Sequence, residues 1–272
     1  MRVLVAIDFS EPSMRVLAKA VSFMERNGGE LHIVHVIEET WMSLDKEIQS
    51  LSDERWHILH VAFPELTKKF FHCLEGNVTR EISELAETIQ ATMLIIGSNG
   101  EHYMFKELLI GSTTKNIVRD SAIPVLVIKN DTMLNPQRIL IPTNFSDHSK
   151  AAVQETAKLF PDAELILLKT YTLPFEGRLK TYGFTENDIV DLQMQIKEKE
   201  DETADVWVRS LNLPFEKVQM ITRKGHLNPP LFLEIAKSYQ ADMISLHTSG
   251  TFSFFAFDLL EEADLDVLIF KF

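Results

Sequence analysis

Cysteine is nearly missing from this chain: Cys73 stands alone in 272 residues, so no internal disulfide can form. None is needed, because 45% hydrophobic content over that length can bury two cores of about 130 residues each. A lone thiol suits a reducing cytosol. No apolar run approaches the roughly 20 residues that span a bilayer, which excludes membrane insertion. The amino terminus reads as a strand and not as a leader, since Asp8 interrupts its apolar run and no small-residue cleavage site follows. These features predict a soluble cytoplasmic protein. Positive charge is also scarce: 27 Lys and Arg face 40 Asp and Glu, a net charge of -13. Nucleic-acid binding depends on clustered cations that replace counterions, and Lys68-Lys69 makes no such stripe, so nucleic acid is excluded as the main partner. There is no Gly-x-Ser-x-Gly elbow for a nucleophile and no Gly-Lys-Ser/Thr of a Walker loop.

What is present is a repeat. Val3-Leu4-Val5-Ala6-Ile7-Asp8-Phe9-Ser10 returns 136 positions later as Ile139-Leu140-Ile141-Pro142-Thr143-Asn144-Phe145-Ser146. Ala91 to Gly100 is echoed in the same order by Ala241 to Gly250. A period of domain size argues for two whole domains and against a solenoid. The expected division is residues 1–130 and 137–272, joined by the linker Asn130 to Gln137.

Within the first copy, apolar runs predict strands at Val3–Ile7, Leu31–Ile37, Phe70–Leu74, Met93–Ile96 and Val125–Ile128. Ser10 and Pro12 open a helix that Asn27-Gly28-Gly29 stops. Further helices are expected from about Asp45 to Pro64, Val78 to Gln90 and Ser112 to Asp120. The second copy repeats the plan, with strands near Arg138–Ile141, Glu164–Lys169, Lys217–Ile221, Met243–Leu246 and Asp266–Phe270 and a long, charged helix from Glu186 to Leu211. Strands alternating with helices, apolar on both faces, predict an α/β fold: two tandem doubly wound domains, each with a five-stranded parallel sheet flanked by helices.

Gly97-Ser98-Asn99-Gly100 follows the fourth strand, and Gly111-Ser112-Thr113 opens the next helix. Glycines there allow backbone N–H groups to approach an anion, and the helix start adds free amides and a positive dipole end. In open α/β sheets ligands bind at the carboxyl ends of strands where the strand order reverses, expected here between the first and fourth strands, where Asp8 stands.

Through Val5-Ala6-Ile7-Asp8-Phe9-Ser10, His35-Val36, Gly97-Ser98-Asn99-Gly100, Gly111-Ser112-Thr113 and Ile123-Pro124-Val125-Leu126-Val127, the chain resembles the universal stress protein family, as a tandem pair. The resemblance implies binding of ATP or a related adenine nucleotide, with Mg2+, in the first copy. Ala6 would line that site and Asp8 would lie near the ribose and the metal-phosphate region. Val36 would offer backbone groups to adenine, and Gly97, Gly100, Gly111, Ser112 and Thr113 would hold the phosphates. The stretch Glu101 to Ile110 is one residue longer than the family's usual gap. Single-domain relatives pair through their fifth strands, so Val125–Ile128 is expected to pair with Val267–Phe270 inside one chain as an internal pseudo-dimer, with further homodimerisation open.

The second copy departs from the pattern. Asn144 replaces the aspartate, His247 replaces the first glycine, and the distance from Gly250 to Val267 is 17 positions against 25 from Gly100 to Val125. The expectation is a lost site, its crevice filled by the aromatic segment Thr251 to Phe257. His57 and His60, three apart on a helix, and His72 beside Cys73 bring too few ligands together for a metal site. His32 and His35 fall on opposite strand faces. The leading reading is a stress-response regulator that binds an adenine nucleotide and acts on unknown protein partners. The alternative is a nucleotide-free tandem scaffold working through protein-protein interaction. The chain is not read as an enzyme, beyond weak ATP hydrolysis with Asp8 arranging water.

Overall fold

Val3, Leu4 and Val5 are completely buried, as are Leu126 and Val127, and strands apolar on both faces need a layer of helices on each side. The computed structural model describes residues 1–38, 45–98, 110–248 and 254–272. Its elements are β1 (Arg2–Ala6), α1 (Glu11–Asn27), β2 (Glu30–Ile37), α2 (Asp45–Ala62), β3 (Phe71–Glu75), α3 (Val78–Thr88), β4 (Met93–Gly97), α4 (Ser112–Asp120) and β5 (Val125–Ile128). There follow β6 (Arg138–Pro142), α5 (Asp147–Leu159), β7 (Glu164–Tyr171), α6 (Glu186–Ser210), β8 (Val218–Lys224), α7 (Pro229–Ser238), β9 (Met243–Thr248), α8 (Phe254–Glu262) and β10 (Asp266–Lys271). The fold is α/β with mostly parallel strands. Among the described residues no helix is long and apolar enough to cross a membrane.

The chain divides into two compact units. The first comprises Met1–Asn135 together with Leu260–Lys271, and the second the described residues between Pro136 and Leu259, with Phe272. In the first unit the strand order is β3-β2-β1-β4-β5-β10. β1 to β5 run parallel, and β10 lies antiparallel to β5 with Val267 opposite Val127 and Ile269 opposite Val125. β5 is buried along its whole length, so an open edge there would expose apolar residues and unpaired amides; β10 covers it. In the second unit the order is β9-β6-β7-β8, all parallel.

Each unit is built from the same local devices. Ser10 caps α1 by accepting the Ser13 N–H at 3.3 Å, and Ser146 caps α5 by accepting that of Ser149 at 3.2 Å. Phe9 and Phe145 both take the left-handed conformation, with φ of 64° and 65°. Gly76 and Gly225, which end β3 and β8, have φ of 144° and 143°, a region that favours glycine. The next helices are capped by Asn77 and Asn228. Arg2 pairs with Glu30 at 2.7 Å in the first unit, and Arg138 with Glu164 at 3.2 Å in the second.

Candidate functional site

In the first unit the chain moves from β1 outward to β2 and β3, then crosses back to β4 on the other side of β1. The order therefore reverses between β1 and β4, and the loops at their carboxyl ends part around a crevice. A cavity of about 620 Å³ lies there, within the usual range of a small-molecule site. Ala6, Asp8, Val36, Gly97, Gly111, Ser112 and Thr113 all line it. Gly100, with Asn99 and Glu101 to Leu109, lies outside the described residues.

Asp8 is held by the first turn of α1. Its Oδ1 accepts the Ser10 N–H at 3.0 Å and the Ser10 hydroxyl at 2.6 Å, while its own N–H donates to Ser13 Oγ at 3.3 Å. The carboxylate thus braces the turn as well as facing the cavity, and it sits where the positive end of α1 favours negative charge.

The start of α4 is built differently from its neighbours. α1, α3, α5, α6 and α7 each have a Ser, Thr or Asn side chain accepting a first-turn N–H; α4 has Gly111 and no side-chain cap. The first bond inside α4 runs from Lys115 N to Gly111 O at 3.1 Å, so the preceding amides at Ser112, Thr113 and Thr114, all of which line the cavity, have no partner within the helix. The ends of the loop are tied down: Gly111 N donates to Ser98 O at 3.0 Å, Ser98 N to Ile128 O at 3.1 Å, and Thr114 Oγ1 to Gly97 O at 3.0 Å. Gly111 itself has φ of -59°, and an added Cβ would meet Ser98 O at 3.7 Å and Thr114 Oγ1 at 4.0 Å, ordinary contact distances. Among the described residues nothing requires glycine at this position.

Other residues that were given no role in the site also line the cavity. Phe9, His35 and Arg55 line it together with Leu51, Val78, Ile82 and Ile117. His35 Nδ1 lies 3.0 Å from Ile7 O, and its ring meets Phe9 edge-on with centroids 4.9 Å apart. Arg55 Cζ stands 4.9 Å from the Phe9 ring centre. One signal marked Arg55: it is four residues after Leu51 and four before the fully buried Leu59, so it is a cation on the apolar stripe of α2.

Of the histidines, His60 stacks on Trp56 with centroids 5.5 Å apart. His32 Nδ1 lies 3.0 Å from His72 Nε2, a pairing the sequence did not suggest. Burial lowers both pKa values, and for His72 the neighbouring His32 lowers it further. Among the described residues no three of His, Cys, Asp and Glu converge as a metal site.

At the matching place in the second unit, Asn144 Oδ1 accepts Ser146 N at 3.0 Å and Ser149 Oγ at 2.7 Å, and His247 Nε2 lies 3.3 Å from Ser149 Oγ. Burial pushes the His247 pKa down, with His148 as a lesser cause. Thr251 to Ser253 lie outside the described residues; Phe255 packs edge-on against Phe232 at 5.9 Å.

The Universal stress protein family model matches residues 1–129. Universal stress protein A homolog 1 of Coxiella burnetii is 26% identical over 142 residues, which cover 46% of this chain and 94% of that protein. Universal stress protein G of Escherichia coli O157:H7 is 28% identical over 133 residues, covering 43% of this chain and 91% of that protein. Each of these relatives thus corresponds to about half of the chain. The crystal structure of a universal stress protein from Archaeoglobus fulgidus covers 99% of this chain and 98% of its own, with a TM-score of 0.70 and 20% identity, a likeness of fold. Residues 1–129 thus match the universal stress protein family, and the chain shares the fold of the Archaeoglobus fulgidus protein.

Proposed function

We propose that the first unit binds ATP or another adenine nucleotide in the cavity between β1 and β4, and that the protein acts as a nucleotide-responsive regulator. The observation that carries this reading is the start of α4. A helix whose first amides lack a side-chain cap and border a cavity is suited to phosphate, and a glycine that nothing among the described residues requires leaves room for close approach. Gly97, Gly111, Ser112 and Thr113 take the phosphate end, with Gly100 as a further loop residue. Asp8 faces the ribose and metal-phosphate region, Ala6 forms the floor, and Val36 presents backbone groups to the base. Mg2+ entering with ATP would offset phosphate charge beside Asp8. The second unit is a copy that has given up this site, with His247 in place of the first loop glycine.

Calorimetric titration of nucleotide-stripped protein with ATP and Mg2+ tests the proposal. One site per chain is expected. Two sites would overturn the reading of the second unit, and no binding would overturn the proposal and favour a nucleotide-free scaffold.

A further inference from the structure

Among the cavity's described lining residues the carboxylates are Asp8 and Glu38, and Arg55 is the one Lys or Arg. With two carboxylates and one guanidinium among the described lining residues, a cation directed at a phosphate group would add to what the α4 amides and Mg2+ supply. Arg55 is half-buried on α2, and its Nε is buried with no hydrogen-bond partner among the described residues. Buried polar atoms are nearly always partnered, and an orphaned donor costs its full desolvation. Contact between the guanidinium and the face of Phe9 uses the delocalised charge but leaves the in-plane Nε–H without an acceptor among the described residues.

We infer that Arg55 is the cationic contact for a phosphate group of the ligand in this cavity, with Phe9 holding the guanidinium in place. The assignment rests on the nucleotide reading of the cavity and deepens it: the site distinguishes phosphorylated adenosine from adenosine itself, through a residue of α2 outside the glycine loop. Arginine suits the task because its planar fork matches two phosphate oxygens at once, which a lysine ammonium does not.

The test is calorimetric titration of the full-length chain and its Arg55→Met and Arg55→Lys variants with ATP, AMP and adenosine, with melting temperatures confirming that each variant folds. Methionine keeps an apolar side chain of similar length over Phe9. Arg55→Met is expected to weaken ATP and AMP on the order of tenfold to a hundredfold, and adenosine by less than about twofold. Arg55→Lys recovers part of the loss. The fall of ATP affinity with added salt becomes shallower in Arg55→Met, because one screened charge contact is gone. Unchanged ATP and AMP affinity in a folded Arg55→Met protein, or an equal loss for adenosine, overturns the assignment while leaving the nucleotide site standing. Failure of the unsubstituted protein to bind any of the three overturns the cavity reading and this assignment with it.

Discussion

The Lys19 ammonium lies 2.7 Å from the Asp266 carboxylate, with the two side chains only 8% and 5% exposed. This pair joins α1 to β10 inside the first unit. It is fully partnered: Lys19 Nζ also donates to Asn130 O at 3.0 Å, and Asp266 Oδ1 accepts the Lys129 N–H at 2.8 Å and the Asn130 N–H at 3.3 Å. A buried pair contributes little over an apolar one, but removing one member strands the other. Asp266→Ala strands an ammonium and two backbone donors, and is expected to lower stability by about 3–5 kcal/mol. Combined with Lys19→Met, the loss should be smaller than the sum of the single losses, as urea unfolding of the three variants would measure. Simple additivity would mean that the two charges do not support each other.

Gly111 offers a way to separate folding from binding. With φ of -59° and no close obstacle to a Cβ among the described residues, Gly111→Ala should change stability by no more than about 0.5 kcal/mol. Gly111→Asp places a good N-cap side chain at a helix start that has none, so its melting temperature should hold or rise. Under the proposed function the same carboxylate occupies phosphate space, and ATP binding should disappear. A stable Gly111→Asp protein that binds ATP normally would remove α4 from the site.

Those two contrasts also show what a sequence can and cannot disclose. β5 and α4 fall on the expected spans, Val125–Ile128 and Ser112–Asp120, because Pro124 and Gly111 mark their starts and the apolar pattern fills the rest. Gly97 and Gly111 were legible as cavity residues because glycines at the end of a fourth strand and at the next helix start mark the carboxyl end of the sheet. Arg55, Phe9 and His35 were not legible as one wall, because α2, the β1 loop and β2 meet only in the folded sheet. The His32–His72 pair was hidden for a related reason. Val34 lies opposite His72 in the β2–β3 ladder, so His32, two residues back, shares the face of His72, and that register cannot be deduced from either strand alone. The pairing of Val267–Phe270 with Val125–Ile128 was expected through the family resemblance and is observed, but the local pattern of Asp266–Lys271 alone does not name its partner strand.

Both members of that histidine pair have pKa values held below the ordinary 6.5, chiefly by burial. The unfolded chain then binds protons that the folded chain resists, so their contribution to stability is complete above pH 6.5 and is lost as pH falls through the lower, folded values. A second proton on the pair also removes the Nδ1–Nε2 hydrogen bond, since each ring needs the other as donor or acceptor. Unfolding followed from about pH 7 to about pH 5 should show falling stability. His72→Phe, which cannot titrate, should flatten that slope. The flattening will be partial, because the lowered pKa of His247 acts in the same direction. A slope unchanged by His72→Phe would assign the acid sensitivity elsewhere.

His247 in turn permits a test of how the second unit differs from the first. If one intrusive side chain were the cause, His247→Gly together with Asn144→Asp would restore the motif residues and bring a second nucleotide site into being. The geometry argues for a deeper change. Asn144 already has the bracing role of Asp8, accepting Ser146 N at 3.0 Å, and the stretch from Gly250 to Val267 is eight positions shorter than its counterpart in the first copy. Phosphate binding at such a place depends on backbone amides arranged by the loop more than on the side chain at any one position. The doubly substituted full chain should therefore keep one ATP site. A stoichiometry of two in calorimetry would show that His247 and Asn144 alone had closed the second crevice, and that its shorter loop can still hold a phosphate.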